Sequence, residues 1–214
     1  MSQPSPSAAG GLLDRLRNGA VICAEGYLFE CERRGYLQAG AFVPEVVLDH
    51  PEVVEQLHRD FVHAGSDVVQ AFTYYGHREK LRLIGKEELL EPLNRQALAI
   101  AGRVAREAGA LVAGNLCNTN VYDVDESSRR AVRSMFDEQA GWAAGAGVDF
   151  IIAETLDFCG EALLALEAAR SRSASERAPA PGQAPSSRLD QPESTSSPHP
   201  PSPHDAASLM SGPI

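Results

Sequence analysis

The sequence lacks any apolar run long enough to span a membrane, and its opening residues, MSQPSPSAAGG, lack the basic and apolar regions of a signal peptide. Its four cysteines include no CxxC motif and no adjacent pair. These absences predict a cytoplasmic protein whose thiols stay reduced.

Positive charge is also scarce. Nineteen lysines and arginines stand against 29 aspartates and glutamates, which gives a formal net charge of −10. An acidic protein is poorly suited to bind a phosphate backbone, because that backbone carries the same sign of charge. The composition therefore predicts neither a nucleic-acid partner nor a membrane partner.

Large apolar side chains become rare after Ala169 and Arg170. The 44 residues from 171 to 214 contain 20 serines and prolines together. Such a segment cannot bury enough apolar surface to offset the entropy of ordering it. The sequence therefore predicts a disordered N-terminus at 1–10, a folded part at 11–170 and a disordered, low-complexity tail at 171–214.

Four short apolar runs in the folded part predict buried strands. They recur every 40 to 47 residues, with helical patterns between them, and they cover 20–25, 66–75, 111–115 and 148–155. Each run is apolar throughout, as in parallel strands that are covered on both faces. These repeats favour an α/β barrel or a doubly wound sheet, and no G-x-G-x-x-G motif follows any strand to support dinucleotide binding.

A complete eight-stranded barrel needs about 250 residues. The sequence has about four βα units before residue 170, and a fifth strand would be due near 175–195. Prolines and the lack of an apolar run exclude a strand there. The predicted fold is therefore the first half of a (β/α)8 TIM barrel, followed by the disordered tail.

Polar side chains follow the predicted strands, where ligands bind in parallel α/β folds. Glu154 comes directly after an apolar strand, and its carboxylate could hold a substrate ammonium group or form a structural ion pair with an arginine. Glu25 has a similar position, although Gly26 beside it could simply make a turn. Cys117 also follows a strand, but one thiol does not make a metal site.

Three aromatic side chains lie near these strand ends. Tyr74 and Tyr75 end the second predicted strand, and Phe42 lies in the preceding loop. Aromatic faces attract organic cations, so the three could line a pocket for a quaternary ammonium group. Aromatic residues beside strands also pack in cores, and the sequence leaves both roles open.

Several blocks of this sequence resemble the betaine–homocysteine S-methyltransferases and, more broadly, the homocysteine-binding methyltransferase domain. The blocks are collinear and lie between about 11 and 170; they read VICAEGYLFECERRGYLQAGAFVPE, HPEVVEQLHRDFVHAGSDVVQAFTYYGHREKL, LVAGN and DFIIAET. The resemblance implies a (β/α)8 barrel. It also implies methyl transfer from betaine or a similar donor to the sulfur of homocysteine, which gives methionine.

The resemblance also implies roles for particular residues. Glu154 matches the acidic residue that holds the homocysteine amino group, and the homocysteine site would include Glu25, Gly26 and Thr155. The methyl-donor pocket would include Tyr75, Phe42 and Tyr74. The chain departs from the family where Ala24-Glu25-Gly26 replaces a common Asp-Gly-Gly, and where Thr155 replaces a tyrosine.

Zinc is the cofactor that the resemblance implies. The family binds it through three cysteines in the second half of the barrel, and none of this chain's cysteines matches one of them, so no metal ligand is predicted. We therefore expect a truncated form that lacks the zinc site and is inactive alone. One alternative is a non-catalytic, regulatory half-barrel that associates with itself or with a full-length homologue. Another is an unrelated lyase or isomerase that uses Glu154 as a base.

Overall fold

Three parallel strands form the sheet in the computed structural model, which describes residues 10–37 and 43–177. The strands are β1 (Val68–Gln70), β2 (Leu111–Cys117) and β3 (Phe150–Glu154), and their order in the sheet follows their order in the chain. Val68 pairs with Leu111, and Ala113 pairs with Phe150. Helices connect the strands, so the predicted α/β class with a parallel sheet is confirmed.

The first predicted strand, 20–25, is reduced to a single paired position. Cys23 forms an isolated parallel bridge with Val68. Before it, the backbone N–H of Ile22 donates to Asp67 Oδ2 over 2.8 Å. After it, Gly26 has a φ of 80°, a conformation that favours glycine, and turns the chain into helix α2 (Tyr27–Arg33). The prediction of a full strand is wrong, since only Cys23 pairs with β1 before the chain turns away at Gly26.

The long helices lie where the sequence predicts them. Pro51, at the first position of a helix, and the Asp125 carboxylate, which accepts from Ser127 N and Ser128 N, mark two of the starts. The helices that contact the sheet are α4 (Pro51–His63), α6 (Leu90–Ala108), α7 (Glu126–Gly145) and α8 (Cys159–Arg177). The shorter helical segments are α1 (Leu12–Asn18), α3 (Val46–Asp49), α5 (Arg78–Leu83) and a 3-10 turn at Glu87–Leu89. Segments α3 and α5 were not predicted, because one or two turns are too short to show a helical period.

The largest apolar core lies between β1 and helices α2, α4 and α6. Its buried side chains include Leu57, Val69, Phe72, Ile100 and Val104. A second core joins the end of β2 to α7 and α8. Burial of these faces fixes the strands, and therefore the positions at which their carboxyl ends deliver side chains.

Helix α7 lies very close to the centre of β2. A Cβ atom at Gly114 would stand 2.8 Å from the Cβ of Ala143, so only glycine fits at this point of contact. The last helix, α8, continues to Arg177, past residue 170, where the folded part is predicted to end. None of the helices in the described ranges is both long and apolar enough to cross a membrane. The predicted disordered segments 1–10 and 171–214 lie mostly outside the described residues.

Candidate functional site

A cavity of about 290 Å³ opens where the ends of β1 and β3 meet the turn before α2. Glu25 and Gly26 line one side, and Gln70 and Glu154 line the other. Aliphatic and aromatic side chains of α2 and of the segment after β1 complete the wall. An apolar cavity with a few convergent polar groups is typical of a small-molecule site.

Glu154 is held by amide groups from the two neighbouring strands. Gln70 Nε2 donates to Glu154 Oε1 over 2.8 Å, and Asn115 Nδ2 donates to the same oxygen. Both amide side chains are buried. Within the described residues Oε2 accepts no hydrogen bond, so it can receive a ligand. Among the described residues, Glu154 therefore pairs with amides and forms no ion pair with an arginine.

Gln70 and Asn115 are not among the site residues that the sequence predicts. Both stand in apolar runs, VVQAF and LVAGN. A buried amide inside an apolar strand needs a hydrogen-bond partner, and this requirement was the available signal.

Glu25 stands across the cavity from the strand ends. Its side chain keeps exposure at the rim, while the cavity wall shields it in part. This partial burial raises the pKa of Glu25 to about 7, and the negative charge of Glu154 contributes to the rise. Gly26, with its positive φ, makes the turn. Gly26 therefore makes the predicted turn, and Glu25 and Gly26 both line the cavity.

The two tyrosines after β1 have different surroundings. Tyr74 lines the cavity, and its ring centroid lies 4.4 Å from that of Tyr75. Tyr75 is not among the cavity-lining residues, and Lys80 Nζ stands 4.0 Å above its ring. A cation of the chain itself thus occupies one face of Tyr75. Phe42, the third predicted aromatic residue, lies outside the described residues.

Backbone strain coincides with the strand ends. Tyr75 and Thr155, which follow β1 and β3, have φ values of 59° and 55°. Residues other than glycine adopt this left-handed region at a cost, and such residues cluster at functional sites. Thr155 lines the cavity, and its hydroxyl donates to the Glu154 carbonyl oxygen over 2.8 Å. The structure therefore brings Glu154, Glu25, Gly26, Thr155 and Tyr74 to one cavity.

The cysteines do not form a metal site. Cys31 and Cys117 are buried, Cys23 is half-buried and Cys159 is exposed. Burial raises the pKa of Cys117 to about 12, which opposes the thiolate that zinc requires. Across 10–37 and 43–177, no three His, Cys, Asp or Glu side chains form a group that could hold a metal ion. These residues do not fit a zinc centre.

Comparison with known proteins shows what this arrangement belongs to. A sequence profile described as homocysteine S-methyltransferase matches residues 23–188. The chain belongs to the homocysteine S-methyltransferase family. Membership agrees with the resemblance in the sequence blocks that carry Glu25, Tyr74 and Glu154.

Relatives in this family include two named methyltransferases. The chain is 40% identical over 166 residues to betaine–homocysteine S-methyltransferase 1 of Bos taurus, a match that covers 75% of the chain and 40% of that protein. It is 38% identical over 163 residues to S-methylmethionine–homocysteine S-methyltransferase BHMT2 of Pongo abelii, covering 76% and 43%. The chain thus spans about two fifths of the length of these two relatives.

A solved structure of a homocysteine methyltransferase shares the fold. The metallated form of the homocysteine methyltransferase MmuM from Escherichia coli matches with a TM-score of 0.63 and 21% identity. The match covers 74% of this chain and 62% of that one. At this identity the likeness shows a shared α/β fold and no more.

Proposed function

We propose that this chain binds homocysteine as part of the family's methyl transfer to sulfur, and that its cavity holds the amino end of that substrate. The observation that carries the proposal is the Glu154 carboxylate, which Gln70 and Asn115 hold at the strand ends. Two donors to Oε1 fix the orientation of the carboxylate, and Oε2 is left to accept a hydrogen bond from a substrate N–H.

The charge of the cavity supports an ammonium ligand. Among the described residues that line it are two carboxyl groups, Glu25 and Glu154, and no lysine, arginine or histidine. A cation in this cavity would relieve the repulsion between the two carboxylates, whereas an anion would add to it. Gly26 and Thr155 would face the same end of the substrate.

The methyl donor is proposed by chemical class. The names of the two relatives contain betaine and S-methylmethionine, which are a quaternary ammonium compound and a sulfonium compound. Both carry positive charge at the methylated atom, and aromatic rings attract such cations. We assign Tyr74 and Phe42 to this donor pocket. Tyr75 would join them when the Lys80 side chain moves away from its ring.

We infer further that residues 11–170 form the first half of a (β/α)8 barrel and that 1–10 and 171–214 are extensions of it. Three parallel strands in chain order support this, as does the Cys23 bridge on the far side of β1. Within the described part, no strand pairs with the outer edge of β3, and Ala153 on that strand is exposed. A barrel would continue from this edge.

We do not propose that this chain catalyses methyl transfer alone, because no three potential zinc ligands lie together among the described residues. The test uses the purified full chain with homocysteine and betaine, and measures homocysteine binding, zinc content and methionine formed. We expect binding without turnover. Turnover with stoichiometric zinc would refute the expected lack of catalytic activity. The absence of homocysteine binding would refute the proposed function.

A regulatory half-barrel is the second candidate. The open edge of β3 favours it, as do the exposed side chains of Leu163 and Leu166 on the adjacent helix α8. Such a surface could pair with a second copy or with a full-length homologue. Analytical ultracentrifugation of the chain, alone and mixed with a full-length relative, decides between association and a solitary monomer.

A further inference from the structure

Two carboxyl groups line the cavity, but their hydrogen bonding differs. Glu154 Oε1 accepts from two amide groups, which stabilise negative charge on that oxygen. The Glu25 side chain accepts no hydrogen bond from any of the described residues. When two neighbouring carboxylates compete for charge, the one without donors is the one that takes up a proton.

The other titratable groups around Glu25 cannot neutralise it. Cys23 precedes it, Tyr27 follows it in α2, and Tyr74 faces the same cavity from the segment after β1. Burial raises the pKa of Cys23 to about 11 and that of Tyr74 to about 12, and it also raises the pKa of Tyr27. All three groups are therefore neutral near pH 7, and Glu25 faces Glu154 without a compensating cation among the described residues.

We propose that Glu25 exchanges its proton for the ammonium group of the ligand, so that the cavity binds an amino acid with release of a proton. The proposal rests on the function proposed above, and it adds how binding at this site is regulated. The exchange balances in charge: a neutral Glu25 carboxylic acid and a ligand ammonium become a carboxylate–ammonium pair, and the proton goes to solvent.

The extent of release follows from the pKa of Glu25, which is raised to about 7 by partial burial and by the charge of Glu154. Binding then releases about half a proton at pH 7, about nine tenths at pH 6 and about one tenth at pH 8. By linkage, affinity falls about fivefold between pH 7 and pH 6, and it rises less than about twofold between pH 7 and pH 8.

Isothermal titration of the full chain with L-homocysteine measures this release, when it is repeated at pH 6, 7 and 8 in buffers of different ionisation enthalpy. L-Methionine is a second probe without a titratable thiol, and 4-mercaptobutanoate is a third that lacks the ammonium group. We expect proton release with both amino acids and none with 4-mercaptobutanoate. Homocysteine binding without proton release at pH 6 overturns the exchange and leaves the proposed function standing.

The variant Glu25→Gln removes the exchanging group. We expect it to bind L-methionine without proton release, with a flat affinity from pH 6 to pH 8 that is about tenfold weaker than wild type at pH 8. The two proteins converge towards pH 6. Glu88→Gln, an exposed glutamate in the 3-10 turn, is the matched control and should behave as wild type. Proton release that survives in Glu25→Gln overturns the assignment to Glu25.

The pKa of Glu25 in the chain without ligand can be measured even where a variant binds too weakly for calorimetry. Carbon-13 NMR follows the Glu25 carboxyl during a pH titration of the free chain. We expect a pKa near 7 in wild type and a lower one in Glu154→Gln, since that change removes the neighbouring negative charge. A Glu25 pKa at its ordinary 4.5 in the wild-type chain overturns the exchange, whatever the ligand does.

Discussion

The two sides of the cavity are built in different ways. The strand wall, Gln70 and Glu154, comes from positions set by the parallel register of the sheet, with Asn115 between them on β2. The loop wall, Glu25 and Gly26, comes from a turn that leaves the sheet after one bridge. Hydrogen bonds fix the first, whereas the second is held by backbone conformation. A fixed carboxylate suits recognition, and a less constrained one suits exchange of a proton.

The largest effect should come from removing the charge of the strand wall. In Glu154→Gln the amide NH2 competes with the donors of Gln70 and Asn115, and the ligand ammonium loses its fixed carboxylate. We expect homocysteine binding to weaken about 10- to 150-fold, because hydrogen bonds to charged groups contribute about 1.5–3 kcal/mol. Titration calorimetry measures the loss, with Glu88→Gln as the control. Unchanged affinity with an intact circular dichroism spectrum would remove Glu154 from the site.

A smaller effect should follow from loosening the same wall without touching its charge. Gln70→Met conserves side-chain size and removes one donor to Glu154 Oε1. We expect affinity for homocysteine to fall about three- to tenfold, with little change in affinity for 4-mercaptobutanoate. Only the contact with the ammonium group depends on the orientation of the Glu154 carboxylate, and 4-mercaptobutanoate has no ammonium group. Gln56→Met, on the exposed face of α4, is the control. Equal losses for both ligands would indicate general damage to the cavity.

The contrast between the walls also explains what the sequence could predict. Apolar runs located β2 and β3, and the position of Glu154 after such a run placed it at the mouth of the sheet. The partnership of Gln70 with Glu154 depends on which residues face each other across β2, and no local pattern encodes that register.

The loop wall was harder to predict for a different reason. Residues 20–25 are apolar enough for a strand, yet only Cys23 pairs with β1 and the chain then turns at Gly26. A glycine in a sequence does not show whether its φ will be positive. Tyr74 and Tyr75 are also adjacent and chemically alike. Their side chains nevertheless have different surroundings: Tyr74 lines the cavity, whereas Tyr75, which has a left-handed backbone, lies beneath Lys80.

The smallest effect concerns the loop wall and the stability of the fold. Because the pKa of Glu25 is raised in the folded chain to about 7 from an ordinary 4.5, the folded state binds more protons than the unfolded state between these two values. The contribution of Glu25 to stability is therefore fully present below about pH 4.5. It is lost as the pH rises to about 7, and it stays constant above that.

Urea unfolding of wild type and Glu25→Gln at pH 5, 6, 7 and 8 measures this difference, since the variant lacks the titrating group. We expect the variant to gain stability relative to wild type as the pH rises from 5 to 7, and to gain little more between 7 and 8. The change should be modest, because Glu25 keeps exposure at the rim and solvent screens its repulsion from Glu154. A difference that is constant from pH 5 to pH 8 would mean that Glu25 is ionised throughout this range, and would contradict its raised pKa.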